Sequence, residues 1–328
     1  MQRFAQFMRR LVPTLGLCIA AIAPGAASAA YPERPVTMVV AFAAGGGTDI
    51  IARLSAQYIQ KHLGGNTSIV VMNRPGAGGA IGFGELSNAA PDGYTIGFIN
   101  TPNVLTIPIE RKANFHWKNY DLLGNLVDDP GNFSVHSDTP IKSLKELVAY
   151  AKANPGAVTY GTTGIGSDDH LSALMLERVA GVQLSHIPFK GAAEVHNAVA
   201  SKQIMVAAMN IGEAMQYQKG GTPLRHLGQM SETRSTLAPN VPTFKEQGYD
   251  VIMSSLRGIA APKGLPPAVR DRLVKAIQDT AADPEFQAKA AGYFAPMRYL
   301  APAAYATELQ AGEDSFKKLW QSMPWTDK

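Results

Sequence analysis

The stretch VTMVVAFAAGGGTD, residues 36–49, decides the fold because an apolar run leads through three glycines into a helical pattern. The run Val36–Val40 has the composition of a strand, and Ile51, Leu54 and Tyr58 share one face of a following helix. Successive glycines let backbone N–H groups approach a ligand closely, and the first turn of a helix presents unpaired donors and the positive end of its dipole. We therefore predict a first loop that binds a small anion. Its residues are Phe42, Ala43, Ala44, Gly45, Gly46, Gly47, Thr48 and Asp49.

A second glycine-rich turn, GTTGIGS at residues 161–167, opens another helix more than one hundred residues later. Thr162, Thr163 and Ser167 place hydroxyls beside exposed amides, and both kinds of group are good partners for a carboxylate. Ser167 is equally suited to be the N-cap of the helix, and the two roles are compatible. Two such loops facing each other across a cleft would make a two-lobed carboxylate-binding protein.

Five polar residues near the loops need separate interpretation. Asp49 and Arg53 have the spacing of a helix cap and an i,i+4 ion pair, which would position the first loop without contacting the ligand. Thr101 and Asn210 follow predicted strands, at the edge where open α/β sheets bind ligands. His170 lies in the first turn after the second loop, and its alternative is a packing or surface role.

Lys190 begins a further predicted helix at the same edge of the sheet. It offers a positive charge to the ligand, and a solvated lysine is the alternative.

Strand-like and helix-like segments alternate through most of the chain, which predicts an α/β architecture with mainly parallel sheets flanked by helices. Turn residues and an acidic pair at Asp128–Gly131 break the apolar pattern and indicate a hinge. We predict that residues 31–130 and 252–328 form one lobe and residues 131–251 the other. The chain would then cross between the lobes twice, near residues 130 and 252, and the lobes would close by bending at these crossings.

The first thirty residues have the features of a secretory signal. Basic residues precede an apolar stretch, Leu11–Ile22, and Ala27-Ser28-Ala29 fits a cleavage site for small residues. Cleavage near Ala29 or Ala30 would place the mature chain in the periplasm. A lipid anchor at Cys18 is disfavoured, because the residue before it, Leu17, is bulky where a small one is needed.

Composition excludes several classes of function. Removing residues 1–30 takes away three arginines and no acid, so 30 basic and 26 acidic residues become 27 and 26. With a net charge of +1 and no basic cluster, we expect no nucleic-acid partner. The mature chain has no cysteine, and no histidine pair has the spacing of metal ligands. We expect neither a metal nor a cofactor.

Enzymatic motifs are also scarce. The sequence has no Gly-x-Ser-x-Gly elbow, and the glycines of residues 73–82 do not have the spacing of a dinucleotide fingerprint. Ser167 and His170 would share a helix face, but a hydrolase also needs an orienting acid and an oxyanion hole. We expect a binding protein and not an enzyme, with an exported hydrolase as the alternative.

Several spaced motifs resemble those of one family, the periplasmic solute-binding proteins of tripartite tricarboxylate transporters, also called Bug proteins. The likeness spans essentially the whole mature chain. The motifs are, in chain order, YPERP (31–35), residues 39–49, NRPGAGG (73–79), APDGY (90–94), YG with GIGS and His170 (160–170), and IPFKG (187–191).

The resemblance implies a Venus-flytrap fold that presents a carboxylated solute to a membrane transporter with two integral subunits. It also implies that the ligand carboxylate is held between the loops Phe42–Asp49 and Thr162–Ser167, through backbone amides, hydroxyls and ordered water. One departure is Ala43-Ala44, which stands where a proline often precedes the glycines. A receptor for a membrane sensor is a further alternative, and we expect a monomer. The sequence does not choose among mono-, di-, tri- and aromatic carboxylates.

Overall fold

Ten strands and ten α-helices alternate along residues 31–65 and 68–326, the part of the chain that the computed structural model describes. The predicted signal, residues 1–30, lies outside the described residues, and the chain from Pro32 onward forms one unit. The strands are β1 (Val36–Val40), β2 (Ile69–Asn73), β3 (Thr95–Asn100), β4 (Tyr120–His136), β5 (Thr159–Thr162), β6 (Ser185–Pro188), β7 (Val206–Asn210), β8 (Leu224–Gln229), β9 (Ser254–Pro262) and β10 (Met297–Leu300). The helices are α1 (Gly47–Leu63), α2 (Ala80–Ser87), α3 (Asn103–Glu110), α4 (Leu144–Ala153), α5 (Asp168–Ala180), α6 (Ala192–Ala200), α7 (Ile211–Lys219), α8 (Pro267–Ala282), α9 (Pro284–Gly292) and α10 (Pro302–Ser322).

Two sheets share strand β4. The first runs β2-β1-β3-β9-β4 and the second runs β4-β7-β5-β6, while β8 and β10 also pair with β4. Parallel pairing joins β1 to β2 and β3, and joins β5 to β6 and β7. Every pairing of β4 and β9 is antiparallel. The predicted α/β class is therefore confirmed, with parallel strands on the outside of each sheet and antiparallel strands where the sheets meet.

Strand β4 contains Asp128–Gly131, where the sequence predicts a hinge. These residues lie inside the strand, which pairs with β9 up to Pro130 and with β7 from Gly131 onward. A proline is tolerated in a strand where no ladder hydrogen bond needs its missing N–H, and Pro130 stands where the strand changes partners. The chain thus passes from one sheet to the other in an extended conformation.

The last helix, α10, packs against both hydrophobic cores. Tyr305 and Leu309, in its first half, are buried in the core of the first sheet. Leu319 and Trp320, near its end, pack against the core of the second sheet. A helix of 21 residues is about 30 Å long, enough to reach both. Helix α10, which the sequence assigns to the first lobe, therefore also contacts the core of the second sheet.

Both glycine loops occupy the places that the sequence predicts. The first loop connects β1 to α1 and the second connects β5 to α5, so each lies at the carboxyl end of a strand and at the N-terminus of a helix. The predicted strand Val36–Val40 has the same bounds in the structure, and a helix follows the second loop as predicted. Helix α5 ends at Gly181, whose φ of 63° is a left-handed conformation that favours glycine.

Candidate functional site

The first loop is held in shape by Asp49, as predicted. Its carboxylate accepts hydrogen bonds from the Gly45 amide at 2.9 Å, from Arg53 Nε at 3.0 Å and from Asn73 Nδ2 at 2.9 Å. Burial alone would raise the pKa of Asp49, but the hydrogen bonds from Arg53, Gly45 and Asn73 outweigh it and lower the pKa. Asp49 is thus an ionised structural group whose oxygens already have donors.

The second loop is closed in a similar way by Asp169. One of its oxygens, Oδ2, accepts hydrogen bonds from the Thr163 amide at 3.1 Å and from the Thr163 hydroxyl at 2.8 Å. Ser167 is the N-cap of α5, because its Oγ accepts a hydrogen bond from the His170 amide at 3.2 Å. His170 Nδ1 in turn accepts one from the Gly166 amide. Ser167 and His170 therefore form a helix cap and not a nucleophile–base pair.

The two loops share one cavity, which measures about 20 Å³ and has room for roughly one water molecule. Seven of the predicted site residues line it. They are Phe42, Gly46, Gly47, Thr48, Asp49, Thr163 and Asn210. Seven further residues complete the lining and were not singled out from the sequence. They are Asn100, Asn103, Asp168, Ala192, Glu213, Ser255 and Arg257.

The rest of the predicted first loop lies outside the cavity lining. The Ala43 amide donates to the Lys190 carbonyl at 3.2 Å, and the Gly45 carbonyl accepts a hydrogen bond from the Tyr217 hydroxyl at 2.9 Å. Ala44 is exposed. These contacts attach the first loop to residues of α7 and of the segment before α6, both of which flank the second sheet. The Lys190 side chain itself is exposed.

Four other predicted residues are also placed outside the lining. Thr101 uses its hydroxyl to accept a hydrogen bond from the Leu256 amide at 2.9 Å, within the pairing of β3 and β9. Thr162 is fully buried, with its hydroxyl 2.6 Å from His186 Nε2. Ser167 is also fully buried. His170 stacks on His186 and lines a separate cavity of about 300 Å³.

A carboxylate of the protein itself occupies one donor of the first loop. Glu213, in the first turn of α7, accepts a hydrogen bond from the Gly47 amide through Oε1 at 2.9 Å. The same oxygen lies 3.1 Å from Arg257 Nη2. An amide at a helix N-terminus and a guanidinium are both favourable partners for an anion. The first loop therefore binds an anionic group, as its sequence predicts, and here that group is a carboxylate of the protein itself.

Arg257 is the centre of a buried polar cluster, called the cleft floor below. The cluster also contains Asp129, Asp168, Asp169, Asn210 and Glu213. Arg257 Nη2 donates to Asp129 Oδ2 at 3.1 Å, to Asn210 Oδ1 at 3.0 Å and to Glu213. The side chain is only 3% exposed, and among the described residues its Nε has no hydrogen-bond partner. A buried charge is tolerated only when it is paired and hydrogen-bonded, and the two carboxylates supply this pairing.

The acids of the floor resist ionisation. Burial raises the pKa of Asp129 to about 7, although Arg257 opposes the rise. Burial likewise raises the pKa of Asp168 to about 6, against the hydrogen bond from Asn210. For Asp169, burial and the neighbouring Asp168 raise the pKa well above its ordinary value. The floor thus carries more carboxyl groups than its one arginine can neutralise.

The floor is not recognisable from the sequence, because its members are far apart in the chain. Arg257 lies 128 positions from Asp129 and 44 from Glu213, and no motif joins them. One signal was present. Arg257 interrupts an apolar strand, and a charged residue in such a place is rarely buried without a partner. The sequence alone does not reveal which acids pair with it.

The chain is similar in sequence to one family of proteins over most of its length. The family model described as "Tripartite tricarboxylate transporter family receptor" matches residues 51–297. Over 294 residues the chain is 35% identical to the "UPF0065 protein in gbd 5'region" of Cupriavidus necator, covering 89% of this chain and 88% of that protein. Among the described residues, no helix is both long and apolar enough to span a membrane.

Solved structures are similar over almost the whole chain. The periplasmic binding protein BugD matches with a TM-score of 0.84 and 32% identity, covering 91% of this chain and 100% of that one. MatC from Rhodopseudomonas palustris, with bound malate, has the same fold with a TM-score of 0.81. It is 24% identical and covers 88% of this chain and 99% of that one. The predicted periplasmic-binding-protein fold is confirmed.

Proposed function

The chain belongs to the tripartite tricarboxylate transporter receptors, the family of the Bug proteins, and from this premise we propose that it binds a small organic carboxylate between its two glycine loops. Members of this family are periplasmic solute-binding receptors and not enzymes. The bound acid would then be delivered to the integral membrane subunits of a transporter. The receptor acts as a monomer in this proposal.

The position of Glu213 is the observation that carries the proposal. Its carboxylate accepts hydrogen bonds from the Gly47 amide and from the Arg257 guanidinium inside the cleft. A ligand carboxylate that displaced Glu213 would find the same donors, and Thr163 and Asn210 line the same cavity. Hydrogen bonds to a charged group contribute about 1.5–3 kcal/mol each, so two or three of them suffice to orient a small acid.

The cleft must open before such a ligand enters. Pockets for small molecules commonly measure about 300–1,000 Å³, far more than the cavity of about 20 Å³ between the loops. We propose that residues 31–130 with 252–328 and residues 131–251 are the two lobes, and that they separate by bending where β4 changes partners at Pro130 and Gly131. Closure around a ligand follows because only the closed state lets both lobes contact it.

The predicted site residues divide into two groups in this proposal. Those that line the cavity, except Asp49, would contact the ligand directly or through water. The others would support the loops. Ala43, Gly45, Thr162 and Ser167 would fix the loop backbones through their hydrogen bonds, and Ala44 is exposed. The remaining three, Thr101, His170 and Lys190, lie outside the cavity lining.

Export completes the proposal. The signal at residues 1–30 would be cleaved near Ala29 or Ala30, and N-terminal sequencing of protein purified from the periplasm would identify the first mature residue. Cleavage elsewhere, or retention of the segment, would contradict it.

Uptake of the bound acid into vesicles that contain the two membrane subunits should require the receptor. A receptor for a sensor would bind the acid without supporting uptake.

A pair of glycine variants tests the pocket. A Cβ at Gly47 would overlap the Arg257 guanidinium and the Glu213 carboxylate, whereas a Cβ at Gly46 would lie 3.6 Å from Ala192 Cβ, an ordinary contact. Both alanine variants keep the backbone N–H. A thermal-shift screen across organic acids first identifies a ligand, and calorimetry then measures its affinity. We expect Gly47→Ala to weaken binding at least tenfold and Gly46→Ala to change it less than threefold.

Two outcomes would contradict the pocket. One is unchanged affinity in Gly47→Ala with an unchanged melting temperature. The other is conversion of the acid into a product by the purified protein, which would support the exported-hydrolase alternative.

A further inference from the structure

Helix α7 contacts the first glycine loop through two side chains that lie about one turn apart. Glu213 Oε1 accepts a hydrogen bond from the Gly47 amide at 2.9 Å, and the Tyr217 hydroxyl donates one to the Gly45 carbonyl, also at 2.9 Å. Residues four apart in a helix are neighbours on the same face. The two side chains therefore hold both ends of the glycine triplet against α7.

The Glu213 carboxylate has a second partner beyond the loop. Its Oε1 also accepts a hydrogen bond from Arg257 Nη2 at 3.1 Å, and the two side chains are only 7% and 3% exposed. Hydrogen bonds to a charged group are roughly twice as strong as neutral ones, and burial protects them from screening by salt. In the lobe division proposed above, Gly47 and Arg257 belong to one lobe and Glu213 to the other. One carboxylate thus joins the two lobes by two charge-assisted hydrogen bonds.

The first loop fits this carboxylate closely. A Cβ at Gly47 would lie 2.6 Å from Glu213 Cγ. Carbon atoms in good contact are about 3.5–4.0 Å apart, so only glycine lets Glu213 approach the amide in this way. A ligand carboxylate that used the Gly47 amide and the Arg257 guanidinium would need Glu213 to leave. The Glu213 contacts and a bound ligand therefore exclude each other.

Other hydrogen bonds between the proposed lobes do not compete with a ligand. The Ala43 amide donates to the Lys190 carbonyl at 3.2 Å, and the Thr106 hydroxyl donates to the Gly166 carbonyl at 2.6 Å. None of these four residues lines the cleft cavity. Glu213 differs from them because it uses donors of the binding site itself. It is therefore the contact between the lobes that a ligand can replace.

We propose that α7 is an internal latch, in which Glu213 takes the place of a ligand carboxylate and, together with Tyr217, holds the cleft closed until a ligand displaces it. This inference rests on the proposed function, since it takes the cleft between the glycine loops as the ligand site. A latched fraction of the protein lowers the apparent affinity, because the latch must open before a ligand binds. Weakening the latch should therefore open the empty cleft and tighten ligand binding.

A disulfide across the cleft tests the latch without a ligand. A Cβ at Gly46 would lie 3.6 Å from Ala192 Cβ, within the range of about 3.5–4.5 Å found in disulfides. No cysteine follows Cys18 in the sequence, so Gly46→Cys with Ala192→Cys introduces a single pair into the mature protein. After reduction and removal of the reductant, the rate of disulfide formation at a fixed oxidant concentration reports the closed fraction.

Three variants in this double-cysteine protein separate the latch from general effects of charge. Glu213→Gln keeps the shape of the side chain and an oxygen for the Asn210 amide. We expect it to slow disulfide formation at least fivefold. Tyr217→Phe leaves the buried Arg257 pair intact and should slow it at least twofold. Glu232→Gln removes the charge of an exposed glutamate and should leave the rate unchanged.

Circular dichroism and the melting temperature identify any variant that fails to fold. Equal rates in Glu213→Gln and Glu232→Gln would overturn the latch. The absence of a disulfide in the double-cysteine protein would overturn it too, because the cleft would then not close without a ligand. If Glu213→Gln does not fold, an unchanged rate in Tyr217→Phe has the same meaning.

Calorimetry on the proteins without the two cysteines separates the latch from the proposed function. The probes are acetate, succinate, malate, citrate, benzoate and glutamate at pH 7.5. We expect Glu213→Gln to bind the acid that wild type prefers at least threefold more tightly, and Glu232→Gln to match wild type. Equal or weaker binding by Glu213→Gln would overturn the latch and leave the proposed function standing. If no acid binds to either protein, the proposed function and the latch are both overturned.

Discussion

The glycine loops and the floor of the cleft are built in opposite ways. Each loop is closed by residues near it in the chain, as Asp49 closes the first through Gly45 and Arg53 and as Asp169 closes the second through Thr163. The floor joins residues 44 to 128 positions apart around Arg257. Local motifs therefore shape the walls of the site, while its electrostatics depend on the complete tertiary fold.

The largest expected effect comes from removing the centre of the floor. Arg257→Met keeps an unbranched side chain but leaves Asp129 and Glu213 without their shared cation. Breaking a buried ion pair in this way costs about 3–5 kcal/mol. We expect urea unfolding at pH 7.5 to show a fall in the free energy of unfolding of that size.

Arg53→Met is the matched control, in helix α1 next to the first loop. It removes the i,i+4 partner of Asp49, and the Arg53 side chain is half exposed. Pairs of this kind contribute about 0.3–0.5 kcal/mol. If the two variants were equally destabilised, the contrast between a locally held loop and a tertiary floor would be wrong.

The same contrast explains what the sequence could predict. Strand β1, the helices after both glycine loops, the loops themselves and the Asp49–Arg53 pair follow from periodicity, glycine chemistry and short spacings. The extended course of β4 through Asp128–Gly131 was missed, because the sequence there has turn residues. Its buried acid, Asp129, is paired with Arg257 of strand β9, which lies more than one hundred residues later in the chain.

The second prediction uses the pH dependence of the floor. The pKa of Asp129 is raised from 3.8 to about 7 in the folded protein, so the folded state keeps a proton that the unfolded state has already lost between these values. Its stabilising contribution is full below about pH 4 and is lost as the pH rises through 7. The amide side chain of the variant Asp129→Asn cannot titrate, so this dependence of the free energy of unfolding on pH should be absent from the variant.

The measurement is the difference in unfolding free energy between wild type and Asp129→Asn, taken from pH 5 to pH 7.5. We expect the wild type to lose stability relative to the variant, on the order of 1 kcal/mol per pH unit. His196 and His226, whose pKa values burial lowers, act in the opposite direction but are common to both proteins and cancel. A constant difference across this range would show that Asp129 does not hold the proton.

The third prediction concerns the second loop. Ser167 caps α5 through a hydrogen bond of 3.2 Å from the His170 amide, and Ser143 caps α4 through one of 3.2 Å from the Glu146 amide. Replacing a serine N-cap with alanine costs about 1 kcal/mol. Ser167→Ala and Ser143→Ala should therefore lose similar stability in urea unfolding.

Because Ser167 does not line the cavity, ligand affinity should change less than threefold in both variants. A selective loss of affinity in Ser167→Ala would instead place this hydroxyl in direct contact with the ligand, so that the loop would serve binding through its side chains as well as its backbone.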